Sequence, residues 1–405
     1  MQSSAVAVSA ANVATTDPPA CPVSPCALLA AFAQVPDPRR RQGTRYRLAA
    51  ILALAVAAIL ANHLSVLAIA QWGRDQDRAL LAALGFPLGA TPQQSTLQRL
   101  FAKLNPDRLG AVLCGALAPT VPVPVRRGAH GIAVDGKAQR GRLAADPTAG
   151  VVHTLSAVCH THGVVLAQAP ITHAQEKAAA ELTVAPSIIA SLDWHGRVFT
   201  GDALYCQRSL CQQIVAAGGD YLLLVKGNQP TLHEDIRLLF APPEPMPLTD
   251  RREVVTVESG HGRTDDTRHL IASTDLVGYL DWPGHAQVFQ LERTWQARGK
   301  VHHTIRHGMT SLPPACADPA RLLALKRGHW RVENDLHRPK DVVLGEDASL
   351  IHRGTGPDVM AILRSFAVSL LHAAGISTIA AHLRHFSCHP TEVARFLVDF
   401  SPQNA

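Results

Sequence analysis

The sequence lacks several features that would assign a protein to a class at once. None of its eight cysteines lies in a Cys-x-x-Cys pair, which favours reduced thiols in a cytoplasmic protein over a disulfide framework. No basic residue precedes Arg39, and no short apolar run there ends in a small-residue cleavage site, so secretion is not expected. Charge of one sign is not in large excess: the net charge of +6 permits a polyanionic partner without requiring one.

Spacings of the zinc-binding type are incomplete. Pairs of cysteines or histidines at suitable separations lack a matching second pair, and 21 histidines produce such spacings by chance. Zinc is therefore not expected at these pairs, which are Cys21 with Cys26, Cys206 with Cys211, His160 with His162, and His303 with His307.

The run from Leu48 to Ala70 is long enough to span a bilayer, but no second run of this kind appears. The arginines just before it would supply a positively charged cytoplasmic flank. Asn62, His63 and Ser65 interrupt the run, however, and polar residues at the centre of a membrane span are costly. We therefore expect a buried helix pair that breaks near Asn62, with a membrane span as the alternative.

What the chain does have is a globular composition, with 47% hydrophobic and 17% charged residues among 405, enough for two or three domains. Residues 1–24, rich in Ala, Ser, Thr, Val and Pro, predict a disordered leader. Residues 25–120 predict a small all-α domain whose polar face, with Gln94 and Gln98, is of a type that contacts DNA. Residues 121–130 predict an extended linker.

After the linker the pattern changes to short apolar runs typical of strands. They follow in the order strand, strand, strand, helix, strand, helix, strand, which is the order of an RNase H-like fold. Asp135 ends the first strand and Asp202 ends the fourth. Because the carboxyl ends of neighbouring strands in an open sheet lie close together, we expect the two aspartates to meet. The predicted strands cover residues 131–135, 151–159, 164–169, 197–202 and 220–227.

A third acid lies on a later predicted helix. In the stretch from Lys326 to His337, helical spacing places His329, Glu333 and either Leu336 or His337 on one face. Three carboxylates in one place repel one another by about 4 kcal/mol per pair at 4 Å and an effective dielectric near 20, so cations are needed between them. Oxygen ligands favour Mg²⁺ or Mn²⁺ over zinc, and two such ions suit reaction at a phosphodiester.

Four blocks of sequence occur in a fixed order. They are Ala133-Val134-Asp135-Gly136-Lys137, Thr200-Gly201-Asp202-Ala203-Leu204, the run from Asp220 to Gln229, and His329-Trp330-Arg331-Val332-Glu333-Asn334 with Gly345-Glu346-Asp347. Together they resemble bacterial insertion-sequence DDE transposases, in the branch related to the H-repeat-associated proteins. The resemblance covers about residues 27–375, and the series of blocks makes it specific where no single block would.

The resemblance implies a catalytic triad formed by Asp135, Asp202 and Glu333, which would bind Mg²⁺ or Mn²⁺, with two ions expected. It also implies cleavage of DNA at the element's ends and joining to target DNA, carried out by a homodimer or larger assembly with no membrane partner. Further side chains would hold DNA by analogy, although a strand end and turn would explain some of them equally well: Lys137, Lys226, Asn228, Gln229, Arg327, Arg331 and Lys340.

The expected fold class is α/β: an RNase H-like catalytic core, a mixed sheet with flanking helices, with a β-rich insertion and a preceding small all-α domain. The core would comprise residues 131–239 and 313–385, the insertion residues 240–312, and a C-terminal tail residues 386–405. Alternating runs in the insertion predict antiparallel strands that either cover the sheet or contact DNA. Its candidate DNA contacts are Arg251, Arg252, Arg263 and Arg268.

One departure from the family pattern follows the glutamate. Lys340 lies seven residues after Glu333, where related transposases often carry a basic residue that holds a DNA phosphate. The closer branch usually reads Leu-His-Trp where this chain has Leu336-His337-Arg338, and Pro339 follows. Because proline kinks or ends a helix, we expect Lys340 to be displaced. Two alternatives stay open: an RNase H-like nuclease or resolvase without strand transfer, and a decayed copy that only binds DNA.

Overall fold

The amino-terminal part of the structure, a computed structural model, consists of helices. The structure describes residues 25–40, 44–139, 152–171, 177–241, 248–260 and 263–398, so the predicted leader lies outside the described residues. Six helices precede the first strand: α1 (Pro25–Ala33), α2 (Leu48–Leu60), α3 (Val66–Asp75), α4 (Arg78–Ala83), α5 (Gln94–Phe101) and α6 (Pro106–Leu117).

The long apolar run folds as two helices, α2 and α3. Every residue of α2 except Ala49 is buried. Asn62 follows in the left-handed conformation with φ of 66°, which asparagine tolerates better than most residues. Ser65 then begins α3, its hydroxyl accepting a hydrogen bond from the Ala68 backbone N–H. The prediction of a helix pair broken near Asn62 is confirmed. Across the described ranges, no helix is long and apolar enough to cross a membrane.

A nine-stranded mixed sheet forms the centre of the molecule, with the strand order β3-β2-β1-β4-β5-β9-β8-β7-β6. β1, β4 and β5 run parallel, and the other neighbouring pairs are antiparallel. The strands are β1 (His130–Gln139), β2 (Val152–Cys159), β3 (Val165–Ile171), β4 (Arg197–Gly201), β5 (Asp220–Val225), β6 (Arg252–Gly260), β7 (Arg263–Ser273), β8 (Gln287–Ala297) and β9 (Lys300–Thr310).

Strands β6 to β9 continue this sheet and do not lie over it. β9 pairs antiparallel with β5, with Leu222 opposite Thr310 and Val225 opposite His307. β8, β7 and β6 follow outward, each paired antiparallel with its neighbour. The segment between β5 and Glu333 therefore adds four strands to the sheet on the side of β5 that faces away from β4.

Helices pack on both faces of the sheet. Successive residues of β5 point to opposite faces: Tyr221 and Leu223 enter one core, and Leu222 and Leu224 enter another. The first core is shared with α1 to α6, so the amino-terminal helices and the sheet are packed together. The remaining α-helices are α7 (Lys177–Ala190), α8 (Arg208–Ala216), α9 (Pro230–Leu239), α10 (Pro319–Gly328), α11 (Gly356–Ala373), α12 (Ile379–Cys388) and α13 (Pro390–Val398).

The segment that carries the glutamate is π-helical. After α10 ends, π-helical turns run over Val332–His337 and Pro339–Val343. Of the two effects expected of Pro339, a kink or an end of the helix, the end does not occur, because the Leu344 N–H donates to the Pro339 carbonyl at 3.0 Å and the helical path continues. Proline cannot pair with the carbonyl four residues before it, that of Asp335. His372 Nε2 donates to that carbonyl instead, at 2.9 Å.

Candidate active site

Asp135 and Asp202 lie at the same level of adjacent parallel strands. β1 and β4 pair with Ala133 opposite Thr200, and the two aspartates stand two residues further along each strand. The prediction that the first strand ends at Asp135 is wrong, because β1 continues to Gln139 by pairing with β2. The two aspartates therefore lie where β4 ends and β1 continues past it.

A histidine side chain, that of His337, connects Glu333 with Asp135. His337 Nδ1 lies 3.2 Å from Glu333 Oε2 and 3.7 Å from Asp135 Oδ2. One ligand atom from each of the three residues falls within 4.8 Å of the others. The imidazole is buried while both carboxylates reach solvent, so His337 sits beneath the two acids. The sequence contained the signal for His337 in its spacing of four from Glu333, but no role was predicted for it.

Asp202 lies near the group formed by Asp135, Glu333 and His337 but is not a member of it. Among the described residues, the group of possible ligands has three members, and Asp202 is not one of them. Its Oδ1 accepts a hydrogen bond from the Leu204 N–H at 2.9 Å and caps the turn Ala203–Tyr205. Burial, Glu181, Asp135 and Asp202 together raise the pKa of Tyr205, which places both aspartates near this phenol.

The turn after Asp202 is held by two residues predicted to contact DNA. Asn228 Nδ2 donates to the Ala203 carbonyl at 2.6 Å, and Gln229 Nε2 donates to the Cys206 carbonyl at 3.0 Å. In this structure both amides therefore face the protein. Their contacts fix the backbone that follows Asp202, which gives them a positioning role.

Replacing Asn228 by alanine should loosen the turn that orients Asp202. We expect DNA cleavage to fall by about tenfold, since small displacements of reacting groups are costly. The free energy of unfolding should fall by only about 1 kcal/mol, the net value of one hydrogen bond. Gln213→Ala, on the exposed side of α8, is the matched control and should change neither. Full cleavage activity in Asn228→Ala, measured beside that control, would argue against the positioning role.

Four of the basic residues predicted to hold DNA form ion pairs within the protein. Lys137 pairs with Asp341 at 2.5 Å, and Lys340 pairs with Glu346 at 3.2 Å. Lys340 is only 1% exposed, so in this structure its ammonium faces the protein interior and not the position of a DNA phosphate that the family spacing implied. The other two pairs are exposed: Arg327 with Glu258, and Arg331 with Asp335.

The Lys137 pair ties the aspartate strand to the glutamate segment. Lys137 follows Asp135 by two residues on β1, and Asp341 lies on the second π-helical turn after Glu333. The ammonium is buried, which makes the pair more consequential than one on the surface. This contact holds the two elements that carry the acids at a fixed separation.

A cleft of about 730 Å³, lined mainly by basic residues, opens between β6 to β9 and the glutamate segment, where Asn334 next to Glu333 in the chain is part of its wall. Lys326 lies in its wall; burial, followed by the charges of Arg306 and Lys226, lowers its pKa to about 8. Lys226 itself is exposed just after β5. Of the residues that line the cleft, sequence reasoning named Arg268 and Arg327 as DNA contacts but gave no role to Arg293 and Arg306 on β8 and β9, or to Trp330, Asn334 and Arg338 of the glutamate segment.

The insertion arginines named from the sequence divide between the cleft and the surface. Arg268 lines the cleft and pairs with Asp266 at 2.7 Å. Arg251 and Arg252 instead pair with Glu253 and Asp250 near the start of β6. The side chain of Arg263 lies outside the described part of the chain.

A buried polar network fastens the end of α10 beneath the acids. Thr200 Oγ1 lies 2.9 Å from His160 Nε2 and 3.2 Å from the Ile132 carbonyl, to which it donates. His329 Nδ1 approaches the same hydroxyl at 3.5 Å. Burial, the main cause, lowers the pKa of both histidines to about 3, so they are neutral at pH 7.

Replacing Gly328 by alanine should disturb this network. A Cβ at Gly328 or at Gly131 would overlap the His160 ring, which is packed between the two glycines. Overpacking of this kind costs about 1–3 kcal/mol, so we expect a lower melting temperature together with weaker cleavage. Gly115→Ala on α6 is the control: its Cβ meets nothing within 4 Å, and alanine in a helix should raise stability slightly. A Gly328→Ala variant as stable as wild type would contradict this packing.

Comparison with known proteins assigns the chain to a family. The model described as "Transposase DDE domain" matches residues 129–370, and a second model, "DDE_Tnp_1-associated", matches residues 29–115. The "H repeat-associated putative transposase YhhI" of Escherichia coli is 25% identical over 350 residues, covering 83% of this chain and 88% of the relative.

Two further similarities accompany these matches. The "Uncharacterized protein in dhlA 3'region" of Xanthobacter autotrophicus is 30% identical over 293 residues, covering 69% of this chain and 92% of the relative. A cryo-EM structure of the piggyBac transposase synaptic complex with hairpin DNA aligns with a TM-score of 0.43 and 11% identity, over 93% of this chain and 83% of that chain. Because the Transposase DDE domain match spans more than half of the chain, the protein belongs to the bacterial DDE transposases, among relatives of the H-repeat-associated proteins.

Proposed function

We propose that this protein nicks DNA at the ends of an insertion sequence by hydrolysis and joins the 3′ ends to target DNA by transesterification. Asp135, Asp202 and Glu333 are the acids of this reaction. The observation that carries the proposal is the register of β1 and β4, which sets two aspartates side by side while the glutamate segment brings Glu333 to Asp135.

The strand order supports an RNase H-like catalytic core within the mixed sheet. β3, β2 and β1 form an antiparallel meander, and β4 and β5 follow parallel to β1. In this proposal the amino-terminal helices bind DNA, and β6 to β9 form one wall of the DNA path. The cleft that they share with the glutamate segment includes Asn334, the residue after Glu333, in its wall.

The side chains present fit a divalent cation. Asp135 and Glu333 offer carboxylate oxygens, His337 offers an imidazole nitrogen within the same 4.8 Å group, and Asp202 lies on the next strand at the same level. Carboxylates that converge in this way repel one another unless a cation lies between them. Mg²⁺ or Mn²⁺, with two ions expected, would lower the pKa of an attacking water and stabilise the leaving oxygen.

The remaining side chains of the site position the acids and the DNA. Arg327 and Arg331 each hold an exposed ion pair, which contributes only about 0–1 kcal/mol and can be exchanged for a DNA phosphate. Trp330 is 57% exposed at the cleft, and its ring offers a surface on which a base can stack. The buried Lys137–Asp341 pair keeps the glutamate segment against β1 during the reaction.

A homodimer or larger assembly follows from the reaction, because two element ends must be brought together. Sedimentation of the protein on DNA carrying its cognate ends should give at least two protomers per complex. A complex that stays monomeric while strand transfer proceeds would remove this part of the proposal.

The test is a combined cleavage and joining assay with Mn²⁺ on DNA that carries the element's own ends. Wild type should nick the ends and join them to a target duplex, and Asp202→Asn should lose both activities. Asp335→Asn is the matched control: this acid lies two residues from Glu333 and pairs with Arg331, so activity should persist. Release of cut DNA without joining would identify a nuclease or resolvase. Binding of ends without any cleavage would identify a decayed copy.

A further inference from the structure

A second cluster of possible metal ligands lies far along the chain from the acids, where α12 meets α13. His385 is on α12, His389 stands at the corner between the helices, and Glu392 is in the first turn of α13. One ligand atom from each lies within 4.8 Å of the other two, and all three side chains reach solvent. The proposed DNA reaction uses none of them.

The hydrogen bonds of the cluster prepare it to bind a cation. His389 Nδ1 lies 2.9 Å from the His385 carbonyl, so it carries the proton, and Nε2 keeps its lone pair. In metal sites, a hydrogen bond of this kind, from the ring nitrogen that does not bind the metal, orients the histidine ligand. His385 Nε2 donates to Glu392 Oε2 at 2.8 Å, so the nitrogen and the carboxylate already face each other, and a cation bound to both would take the place of this proton.

The spacing of the two histidines along the chain also favours binding of a cation. His385 and His389 are four residues apart at the end of a helix, and their rings stack with centroids 4.3 Å apart. Ligand atoms about 2.0–2.1 Å from a tetrahedral ion are about 3.3 Å from one another. The three exposed ligand atoms already lie within 4.8 Å of one another, so they need to move only a short distance to bind such an ion. Pro390 begins α13 directly after His389 and keeps the corner tight.

We infer that His385, His389 and Glu392 form a surface site for a divalent transition-metal ion of the zinc type. Two imidazoles and one carboxylate form a borderline ligand set that prefers Zn²⁺ to Mg²⁺, and solvent access leaves a fourth position for water. The site is thus chemically distinct from the carboxylate-rich group at Asp135 and Glu333.

A bound ion would fasten the two carboxyl-terminal helices to each other. α12 packs against α2, and α13 packs against α1, α2 and α4, so the corner lies against the amino-terminal helices. Zinc that binds the folded corner and not the unfolded chain stabilises the fold by linkage. The expected effect of the ion is therefore to stabilise the carboxyl-terminal corner.

Zn²⁺ binding to the full-length protein tests the inference, measured calorimetrically with excess Mg²⁺ present to occupy the carboxylate site. Asp135→Asn/Glu333→Gln protein is used in parallel, so that any zinc bound among those acids is removed from the count. We expect one equivalent of Zn²⁺ in both proteins. His385→Gln and His389→Gln should each weaken binding by at least about tenfold, and Glu392→Gln should weaken it less.

The control is His382→Gln, one turn earlier on α12 and outside the ligand group, which should bind zinc as wild type does. Zinc should also raise the melting temperature of wild type and of His382→Gln, but not that of His385→Gln/His389→Gln. DNA cleavage in Mg²⁺ should be the same in all of these histidine variants, so failure here is distinct from failure of the proposed reaction. Absence of zinc binding, or binding unchanged in the double histidine variant, would overturn the inference.

Discussion

Glu333→Gln should abolish DNA strand cleavage while leaving DNA binding intact. The substitution keeps the size and hydrogen-bonding shape of the side chain but removes the charge that faces His337 and Asp135. Loss of residues that merely support metal ligands costs 10- to 100-fold, so loss of a ligand should cost at least about 100-fold. Nicking of end DNA in Mg²⁺ and Mn²⁺, beside a binding assay on the same DNA, measures both properties.

Asp347→Asn serves as the comparison for Glu333→Gln. Asp347 lies in the short turn Glu346–Ala348 that follows the glutamate segment, and it belongs to no ligand group among the described residues. We expect this variant to retain most of its cleavage activity. Equal activity of wild type and Glu333→Gln would show that the glutamate is not one of the reacting acids.

Acidification should lower the free energy of unfolding at a pH well above that at which the carboxylates titrate. Burial lowers the pKa of His160 and His329 to about 3 from 6.5, so the folded state holds both rings neutral where the unfolded state binds protons. Their stabilisation is complete above pH 6.5 and is lost as pH falls from 6.5 towards 3. Between pH 7 and pH 5 each ring should cost about 2 kcal/mol, or about 4 kcal/mol together, at 1.36 kcal/mol per pKa unit.

Urea unfolding at pH 7 and pH 5 measures this loss directly. His285 and His307, whose pKa burial lowers to about 4, should add to it. His160→Gln should lower stability at pH 7 yet reduce the pH dependence, because glutamine can bond Thr200 without titrating. A free energy of unfolding that stays constant from pH 7 to pH 5 would show that these rings are not held neutral.

The strands and the acids on them could be predicted because each has a local signal. Short apolar runs mark β1 to β5, and Asp135 and Asp202 follow the part where β1 and β4 pair with each other. The break near Asn62 was visible in the same way, as polar residues within an apolar run. The end of β1 was misjudged by four residues and the ends of β3 and β5 by two, and the extension of β1 depends on pairing with β2, which a single run does not reveal.

Two of the ion pairs of the charged side chains could not be predicted, because their partners come from distant parts of the chain. Lys137 pairs with Asp341 across 204 positions, and Arg327 pairs with Glu258 across 69 positions. Asn228 turned out to hold the Ala203 carbonyl. From the sequence alone, a basic or amide side chain near a catalytic motif is interpreted as a DNA contact, because its neighbours in the folded protein are not known.

Local geometry also decided two points that residue types left open. Pro339 is accommodated because the helix widens to a π-helix and His372 satisfies the Asp335 carbonyl. The cysteines considered as a zinc half-site, Cys206 and Cys211, are buried, which their spacing did not reveal, and burial raises the pKa of both thiols.

We propose that Asp202 joins Asp135 and Glu333 in binding the reactive cations, although it lies outside their group in the structure. Asp202→Cys tests this role most directly, because a thiolate binds Mg²⁺ poorly but binds softer ions well. We expect Asp202→Cys to be inactive in Mg²⁺ and to regain nicking in Mn²⁺ with traces of Cd²⁺, whereas Asp202→Ala should stay inactive in both. Equal inactivity of the cysteine and alanine variants in every metal, with end binding intact, would contradict a metal-binding role for Asp202.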